Sequence, residues 1–323
     1  PDSPLSDAIW IDLYLPTPVE VDNVKALGID VPSLAEMEEI EVSSRLYRES
    51  GCDYMTLVLP GMSGANQQVS GPVTFIRAST PQITTPQITT SQIPAPQIPL
   101  CLITVRHHAP RPFTTYPPHA EKIGAGCRDA DQVMLGLLDE IVGRLADILE
   151  GSGRALDAIS GDIYGEQSGV DAVGLHASLR KLGREGDVIG RVRLALLTID
   201  RLSGYLTQAI VENQKQSPLR MAIKGLARDV HSLLVHADFL SSRLAMASDA
   251  TLGMINLSQN RTIKIFSVMA VVFMPPTVIA SAYGMNFAHM PELQWAWGYP
   301  MALGLMLASA VGTYLFFKWR KWL

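Results

Sequence analysis

The stretch Gln259–Phe287, QNRTIKIFSVMAVVFMPPTVIASAYGMNF, decides the fold of this chain. From Ile265 to Phe287 it holds no charged residue, a run of 23, and after Glu292 a second uncharged run of 25 covers Leu293 to Phe317. About 20 apolar residues, each rising 1.5 Å, cross the hydrocarbon of a bilayer. The sequence therefore predicts two membrane-spanning helices.

Basic residues flank the two predicted spans on one side only. Arg261 and Lys264 precede the first span, and Lys318, Arg320 and Lys321 follow the second, whereas the loop between the spans carries no lysine or arginine. By the positive-inside rule, both termini are expected in the cytoplasm and the short loop outside. Two buried helices in a soluble core are the alternative, and they would not explain these flanks.

The overall charge combines two unlike parts. The 323 residues carry a net charge of −5, with a mean hydropathy of +0.17. Residues 261–323 hold five basic and one acidic residue, or +4, which leaves 21 basic and 30 acidic residues, or −9, for the other 260. An acidic cytoplasmic body is therefore expected beside a small membrane anchor. This acidic balance argues against a nucleic-acid partner.

Residues 1–127 are predicted to form a cytoplasmic α/β domain. Ser33 and Glu36 have the spacing of a capping box, which predicts a helix over Pro32–Tyr47. Residues 80–99 repeat PQI or SQI every five residues and contain five prolines, which predicts an extended, solvated insertion. Residue patterns rich in alternating or β-branched side chains predict strands at Ala8–Leu15, Cys52–Leu59, Val73–Arg77 and Leu100–Arg106.

The remaining chain is predicted to be helical. Residues 128–217 are expected to form a helical hairpin, with helices at about 128–163 and 170–213. Residues 218–287 are expected to form a long stalk helix that continues into the first span, followed by an external loop at 288–297 and by the second span and basic tail at 298–323. Apolar residues spaced three and four apart give the stalk a heptad seam suited to self-association: Ile223, Leu226, Val230, Leu233, Ala237, Leu240 and Leu244.

A stripe along the first span is polar, small or methionine, apart from Ile263. The same spacing, continued upward, gives its members as Asp249, Gly253, Asn256, Asn260, Ile263, Ser267, Ala270, Met274, Thr277 and Ser281. Phe266 borders the stripe and, with Ile263, is a candidate for an apolar constriction. A polar stripe inside a bilayer needs partner helices. A pore and close helix packing without a pore both remain open from the stripe alone.

The loop after the first span makes the chain resemble a known family. Tyr283–Phe287 reads YGMNF, Met290–Leu293 reads MPEL, and the chain closes on KWRKWL. With the two spans, these motifs resemble the CorA family of magnesium transport proteins. The resemblance is strong over about 65 residues and is also visible at Ala8–Leu13 and Leu34–Leu46. The methionine of Gly-Met-Asn argues against the related zinc-transporting ZntB branch, where it is typically replaced.

The resemblance implies a funnel-shaped homopentamer in the bacterial inner membrane, in contact with membrane lipids. The first spans would surround a central pore for hydrated Mg²⁺, and the second spans would form an outer ring. Gly284, Met285 and Asn286 would form the selectivity entrance, with Gly284 supplying backbone freedom for the turn. Glu292 would attract cations to the external loop. The implied pore lining is Asn260, Ile263, Phe266, Ser267, Ala270, Met274, Thr277 and Ser281. Taken without the resemblance, Asn286 is better explained as a helix cap.

The resemblance further implies gating by cytoplasmic Mg²⁺ at acidic sites between subunits. Asp229 and Asp249 are the candidates for this regulatory metal site, and their partners are left unplaced. Two alternatives stay open: transport of Zn²⁺, Co²⁺ or Ni²⁺, and a membrane-anchored Mg²⁺ sensor that does not conduct. An enzyme is not expected, because the sequence has no P-loop, HExxH, GxSxG or Cys/His ligand cluster.

Overall fold

The computed structural model describes residues 8–64, 67–78, 101–122, 126–164, 172–211, 218–285, 291 and 295–320. The insertion predicted at 80–99 lies outside these residues. The chain divides into two compact units. The first combines Pro1–Gly161 with Lys181–Ala247, and the second combines Asp162–Arg180 with Ser248–Leu323.

A five-stranded mixed sheet organises the first unit. The strands are Trp10–Tyr14 (β1), Leu46–Glu49 (β2), Cys52–Met62 (β3), Gln68–Ala78 (β4) and Leu102–Arg106 (β5). Their order across the sheet is β1-β5-β4-β3-β2, with β1 parallel to β5 and every other neighbouring pair antiparallel. All four predicted strands are confirmed, and the structure adds β2 as an edge strand.

Short helices accompany the sheet, and long helices follow it. The short ones are Pro18–Lys25 (α1), Leu34–Glu38 (α2), Val42–Arg45 (α3), Pro112–Thr115 (α4) and a 3₁₀ turn at Pro117–Lys122. The long ones are Ala130–Tyr164 (α5), Ala172–Val211 (α6), Pro218–Tyr283 (α7) and Gly298–Trp319 (α8). The long helices α5, α6 and α7 lie where the sequence predicts two hairpin helices and a stalk helix, and α7 ends at Tyr283, four residues before the end of its predicted segment.

The single helix predicted over Pro32–Tyr47 is wrong, because the structure has two short helices there, α2 and α3, followed by the start of β2. Its capping box is confirmed, since the backbone N–H of Ser33 donates to Glu36 Oε2 at 2.7 Å, but α2 ends at Glu38. The chain then enters β2, where Tyr47 stacks on Tyr54 across the strand pair with ring centroids 4.7 Å apart. This cross-strand aromatic contact favours the extended conformation over continuation of the helix.

A buried ion pair joins the sheet to two helices behind it. Asp53 on β3 is fully buried and accepts hydrogen bonds from Arg77 Nη1 and from the Tyr205 hydroxyl, both at 3.1 Å. Arg77 also donates to both carboxylate oxygens of Asp131 on α5. Burial and the nearby Asp53 carboxylate raise the pKa of Tyr205 to about 12, so that its hydroxyl stays protonated and donates. The network links β3, β4, α5 and α6.

The heptad seam of the stalk packs inside the first unit, which corrects its expected role in self-association. Ile223, Val230 and Ala237 are buried in the single chain. Two ion pairs fasten α7 beside this seam: Arg193 to Asp238 at 2.7 Å and Arg243 to Asp157 at 2.6 Å. These pairs attach α7 to α6 and to α5, so the hairpin of the same chain covers the seam.

The apolar helices of the second unit are not buried as core helices of a soluble protein would be. Both α7 and α8 are long and apolar enough to cross a membrane. Only 6% of the residues in the apolar stretch of each helix are buried in the chain. A helix of this length that is mainly apolar and yet mostly exposed suits a bilayer. The two predicted spans therefore agree with the helices that the structure describes.

Replacing Asp53 with alanine is expected to destabilise the first unit by about 3–5 kcal/mol, because Arg77 would keep a buried charge without its full set of acceptors. Hydrogen exchange of β3 and β4 in the purified full chain measures this loss as exchange about a hundredfold faster or more. The matched control is Asp30→Ala, which removes an exposed 3.1 Å ion pair with Lys25 and should cost about 0–1 kcal/mol. Equal exchange in the two variants would contradict the role given to the buried pair.

Candidate ion pathway

The polar stripe of α7 is exposed along its whole length in the single chain. All eight residues predicted to line a pore are exposed in the structure: Asn260, Ile263, Phe266, Ser267, Ala270, Met274, Thr277 and Ser281. The large apolar side chains of the stripe are exposed too: Ile263 is 62%, Phe266 64% and Met274 60% exposed. No described residue of the same chain covers this face.

The opposite face of the same helix is the one that the chain shields. Val268 is only 5% exposed, and Val272, Ile279 and Tyr283 are half-buried. At 100° per residue these positions lie together, on the side of the helix away from the stripe. On α8 the shielded residues also share one face and include Gly298 and Ala302. Shielded faces with this three- and four-residue spacing are suited to packing against another helix.

The stripe does not continue the stalk seam, contrary to the prediction from spacing. The step from Leu244 to Asp249 is five residues, which turns by about 140° around an α-helix. The buried seam continues instead through Ala247, Thr251 and Ile255, which are all buried. The stripe therefore extends downward along the exposed side of α7, where Phe239 and other large apolar residues lie open.

Two prolines interrupt the hydrogen bonding of α7 inside the apolar segment without ending the helix. Pro275 and Pro276 lie within α7, which continues to Tyr283. A proline offers no N–H to the carbonyl four residues earlier, so this part of the helix lacks two backbone bonds. The Thr277 hydroxyl donates to the carbonyl of Met274 at 2.8 Å, which satisfies one neighbouring acceptor. Its oxygen keeps lone pairs available on the exposed stripe.

The end of α7 positions two of the three predicted entrance residues. Gly284 donates its N–H to the carbonyl of Ala280 at 2.9 Å, and Met285 is half exposed beyond it. Gly284 does not adopt the left-handed backbone conformation that favours glycine. A Cβ there would lie 3.1 Å from the Ala280 oxygen, so the position favours glycine because the last helical turn approaches closely. Asn286 and Glu292 lie outside the described residues.

The two acidic residues predicted to bind regulatory metal are separate in the chain. Asp229 and Asp249 are both exposed, on the first and second unit respectively. Asp229 lies 3.9 Å from Arg228 Nε. Among the described residues, no three His, Cys, Asp or Glu side chains converge as a metal site. A single chain therefore does not assemble the predicted regulatory site from its described part.

Sequence reasoning did not predict that the carboxyl group of Asp139 lies near Asp229. Partial burial, followed by the charges of Asp229 and Glu140, raises the pKa of Asp139 on α5 above its ordinary value. Asp139, Glu140 and Asp147 line a cavity of about 430 Å³ on this side of the first unit. Alternation of acidic and apolar residues along α5 is visible in the sequence, but it is equally typical of a solvated helix face.

Comparisons with known proteins cover nearly the whole chain. Residues 99–319 match a family model described as CorA-like Mg²⁺ transporter protein. The chain is 31% identical over 321 residues to the magnesium transport protein CorA of Yersinia pestis, and 31% identical over 322 residues to that of Escherichia coli strain K12. Both alignments cover 99% of this chain and 93% of the relative.

Solved structures share the fold at low sequence identity. The complete structure of the CorA magnesium transporter from Methanocaldococcus jannaschii superimposes with a TM-score of 0.70 at 18% identity, covering 100% of this chain and 94% of that one. The full-length CmaX protein gives a TM-score of 0.60 at 15% identity, covering 98% and 89%. These structures show the same arrangement of an α/β part followed by long helices. The family match and the relatives at 31% identity together show that the chain belongs to the CorA-like Mg²⁺ transporter family.

Proposed function

We propose that this chain is the subunit of a Mg²⁺ channel in the bacterial inner membrane, with both termini in the cytoplasm. The observation that carries the proposal is the polar stripe of α7, which lies in an apolar, membrane-length segment and is left uncovered by its own chain. Family membership and the names of the relatives support Mg²⁺ as the ion.

The stripe requires further copies of the chain. Hydroxyl and amide groups that face lipid lose their hydrogen bonds to water, which costs several kcal/mol for each group. We infer that α8 packs on the shielded face of α7, which leaves a second copy of the chain as the available cover for the stripe. We infer a homopentamer, the number implied by the family resemblance, with five stripes around one axis and α8 next to the lipid.

Rings of neutral oxygens suit an ion that keeps its water. Mg²⁺ sheds its hydration shell reluctantly, and the amide of Asn260 and the hydroxyls of Ser267 and Thr277 can accept from or donate to that shell. Ile263 and Phe266 would form an apolar constriction near the cytoplasmic end, which closes by excluding water. The ring of Asn286 at the outer mouth would select the hydrated ion, and Glu292 would raise its local concentration.

The membrane potential supplies the driving force in this account. Moving one elementary charge across 100 mV is worth about 2.3 kcal/mol, so a divalent cation gains about 4.6 kcal/mol when the cell interior is negative. No Asp, Glu, Lys, Arg or His lies within either uncharged run, so the pathway lacks the residues that usually form a proton relay. A passive channel therefore needs no coupled ion.

Regulation is proposed to act through acidic residues on the first unit and on α7. Partial burial first, and then the charges of Asp229 and Glu140, raise the pKa of Asp139, which supports a group of nearby carboxylates here. A bound Mg²⁺ from the cytoplasm would relieve this repulsion, with ligands completed by a neighbouring subunit. Asp249, lower on the exposed stripe, would add a second acidic ring. Loss of the ion would free the subunits to move and the pore to open.

Asn286→Ala is expected to abolish Mg²⁺ uptake by proteoliposomes while leaving the oligomer intact, because it removes the amide ring at the proposed entrance. A fluorescent Mg²⁺ indicator inside the vesicles measures uptake, and size-exclusion chromatography measures the oligomer. Asn23→Ala, on the exposed side of α1, is the control and should conduct normally. Normal uptake by Asn286→Ala would overturn the proposed selectivity entrance.

Cysteines placed on the two faces of α7 should differ in their accessibility to a water-soluble reagent. In a chain whose Cys52, Cys101 and Cys127 are replaced by serine, Ser267→Cys should react with a membrane-impermeant methanethiosulfonate, and the adduct should block Mg²⁺ flux. Val268→Cys is the matched control, one residue away on the shielded face, and it should not react. Equal labelling of both positions would show that the stripe does not line an aqueous path.

Asp229→Asn is expected to weaken the protection from protease that Mg²⁺ gives to the purified protein, because one carboxylate of the proposed regulatory site is lost. The concentration of Mg²⁺ that gives half protection should rise about tenfold. Asp187→Asn, an exposed carboxylate on α6, is the control and should leave that concentration unchanged. The same protection profile in both variants would place the regulatory site elsewhere.

A further inference from the structure

We propose that a cavity in the first unit binds a small organic anion with an apolar body, at a place separate from the ion pathway. The cavity has a volume of about 320 Å³ and lies between one end of β3 and β4, the segment before α4, and the facing sides of α5 and α6. This volume is at the lower end of the range for small-molecule sites, about 300–1,000 Å³. It fits a single ring with a short chain.

The inner wall of the cavity consists of apolar side chains that have little exposure to solvent. Leu59 on β3, Leu145 on α5 and Val192 on α6 line it and are each only 1% exposed. Val188 and Ile148 continue this lining. A ligand that placed an apolar ring here would remove that ring from water, at about 25 cal/mol for each Å² of apolar surface buried.

Among the described residues, three arginines and no aspartate or glutamate line the same cavity. They are Arg111, Arg144 and Arg191. Arg144 has a single long ion pair, 3.8 Å to the exposed Asp147. Arg191 is half-buried on α6 and makes no side-chain hydrogen bond or ion pair with the described residues. A planar guanidinium offers paired N–H donors that match a carboxylate or phosphate.

Arg191 is the group that best distinguishes this site from its surroundings. Arg111 and Arg144 also line the neighbouring acidic cavity with Asp139, Glu140 and Asp147, so those carboxylates compete for them. Arg191 lines the apolar cavity and is not among the residues that line the acidic one. Arg191 is a half-buried cation without a side-chain partner among the described residues, and it lines a pocket with an apolar inner wall. Such a site selects a ligand with one anionic group and an apolar remainder.

The test uses 4-(4-fluorophenyl)butyrate and the full chain in lipid nanodiscs, with ¹⁹F NMR line broadening as the measure of binding. Empty nanodiscs correct for partition into lipid. Saturable binding below 1 mM is expected, and the neutral 4-(4-fluorophenyl)butanol should bind at least about tenfold more weakly. The phosphate ester of 4-(4-fluorophenyl)butanol distinguishes the two head groups. If the site accepts both carboxylate and phosphate, this ester should compete with the butyrate. If the site requires a planar head group, only the butyrate should bind.

Variants locate the binding within the chain. Arg191→Gln should weaken binding of the carboxylate at least about tenfold, and Val188→Trp, which fills the cavity, should abolish it. The matched control is Arg184→Gln, two helical turns earlier on the same side of α6, exposed and outside the cavity. Circular dichroism checks that each variant is folded. Equal affinity for acid and alcohol, equal loss in Arg184→Gln, or no saturable binding up to 5 mM would each overturn the proposal.

Discussion

A polar group inside the hydrocarbon of a membrane must meet water or another polar group, and α7 carries a whole row of them. Its apolar segment is long enough to cross a bilayer, yet Ser267, Thr277 and Ser281 lie on one exposed side of it. The chain shields only the opposite side, around Val268. One helix of this kind is incomplete alone, so its burial pattern favours assembly around the stripe.

The same helix passes from one unit of the chain to the other. Within the first unit its seam is buried and held by ion pairs from Arg193 and Arg243. The stripe begins on the other side of the helix, because five residues from Leu244 to Asp249 turn it by about 140°. Covering one side of α7 with its own hairpin leaves the other side for copies of the chain. Asp229, which lies close to Asp139 of α5, is itself on α7, the helix that also lines the proposed pore.

Features with a long, regular pattern were predictable from sequence, and features set by distant contacts were not. The uncharged runs, the helical hairpin and the capping box at Ser33 each follow from local chemistry. The end of α2 did not, since Tyr47 extends to stack on Tyr54 from another strand. Spacing showed that the stalk has an apolar seam, but not whether its own hairpin or another copy covers it. The closeness of Asp139 to Asp229 depends on the packing of α5 and α7.

The central claim is that the exposed stripe of α7 is covered by further copies of the same chain around a shared axis. Native mass spectrometry of the full chain, released from lipid nanodiscs, tests it most directly. The account predicts one dominant species at five times the 35.2 kDa mass of the chain. A dominant monomer or dimer, obtained from a preparation that still takes up Mg²⁺ in vesicles, would contradict the claim that copies of the chain cover the stripe.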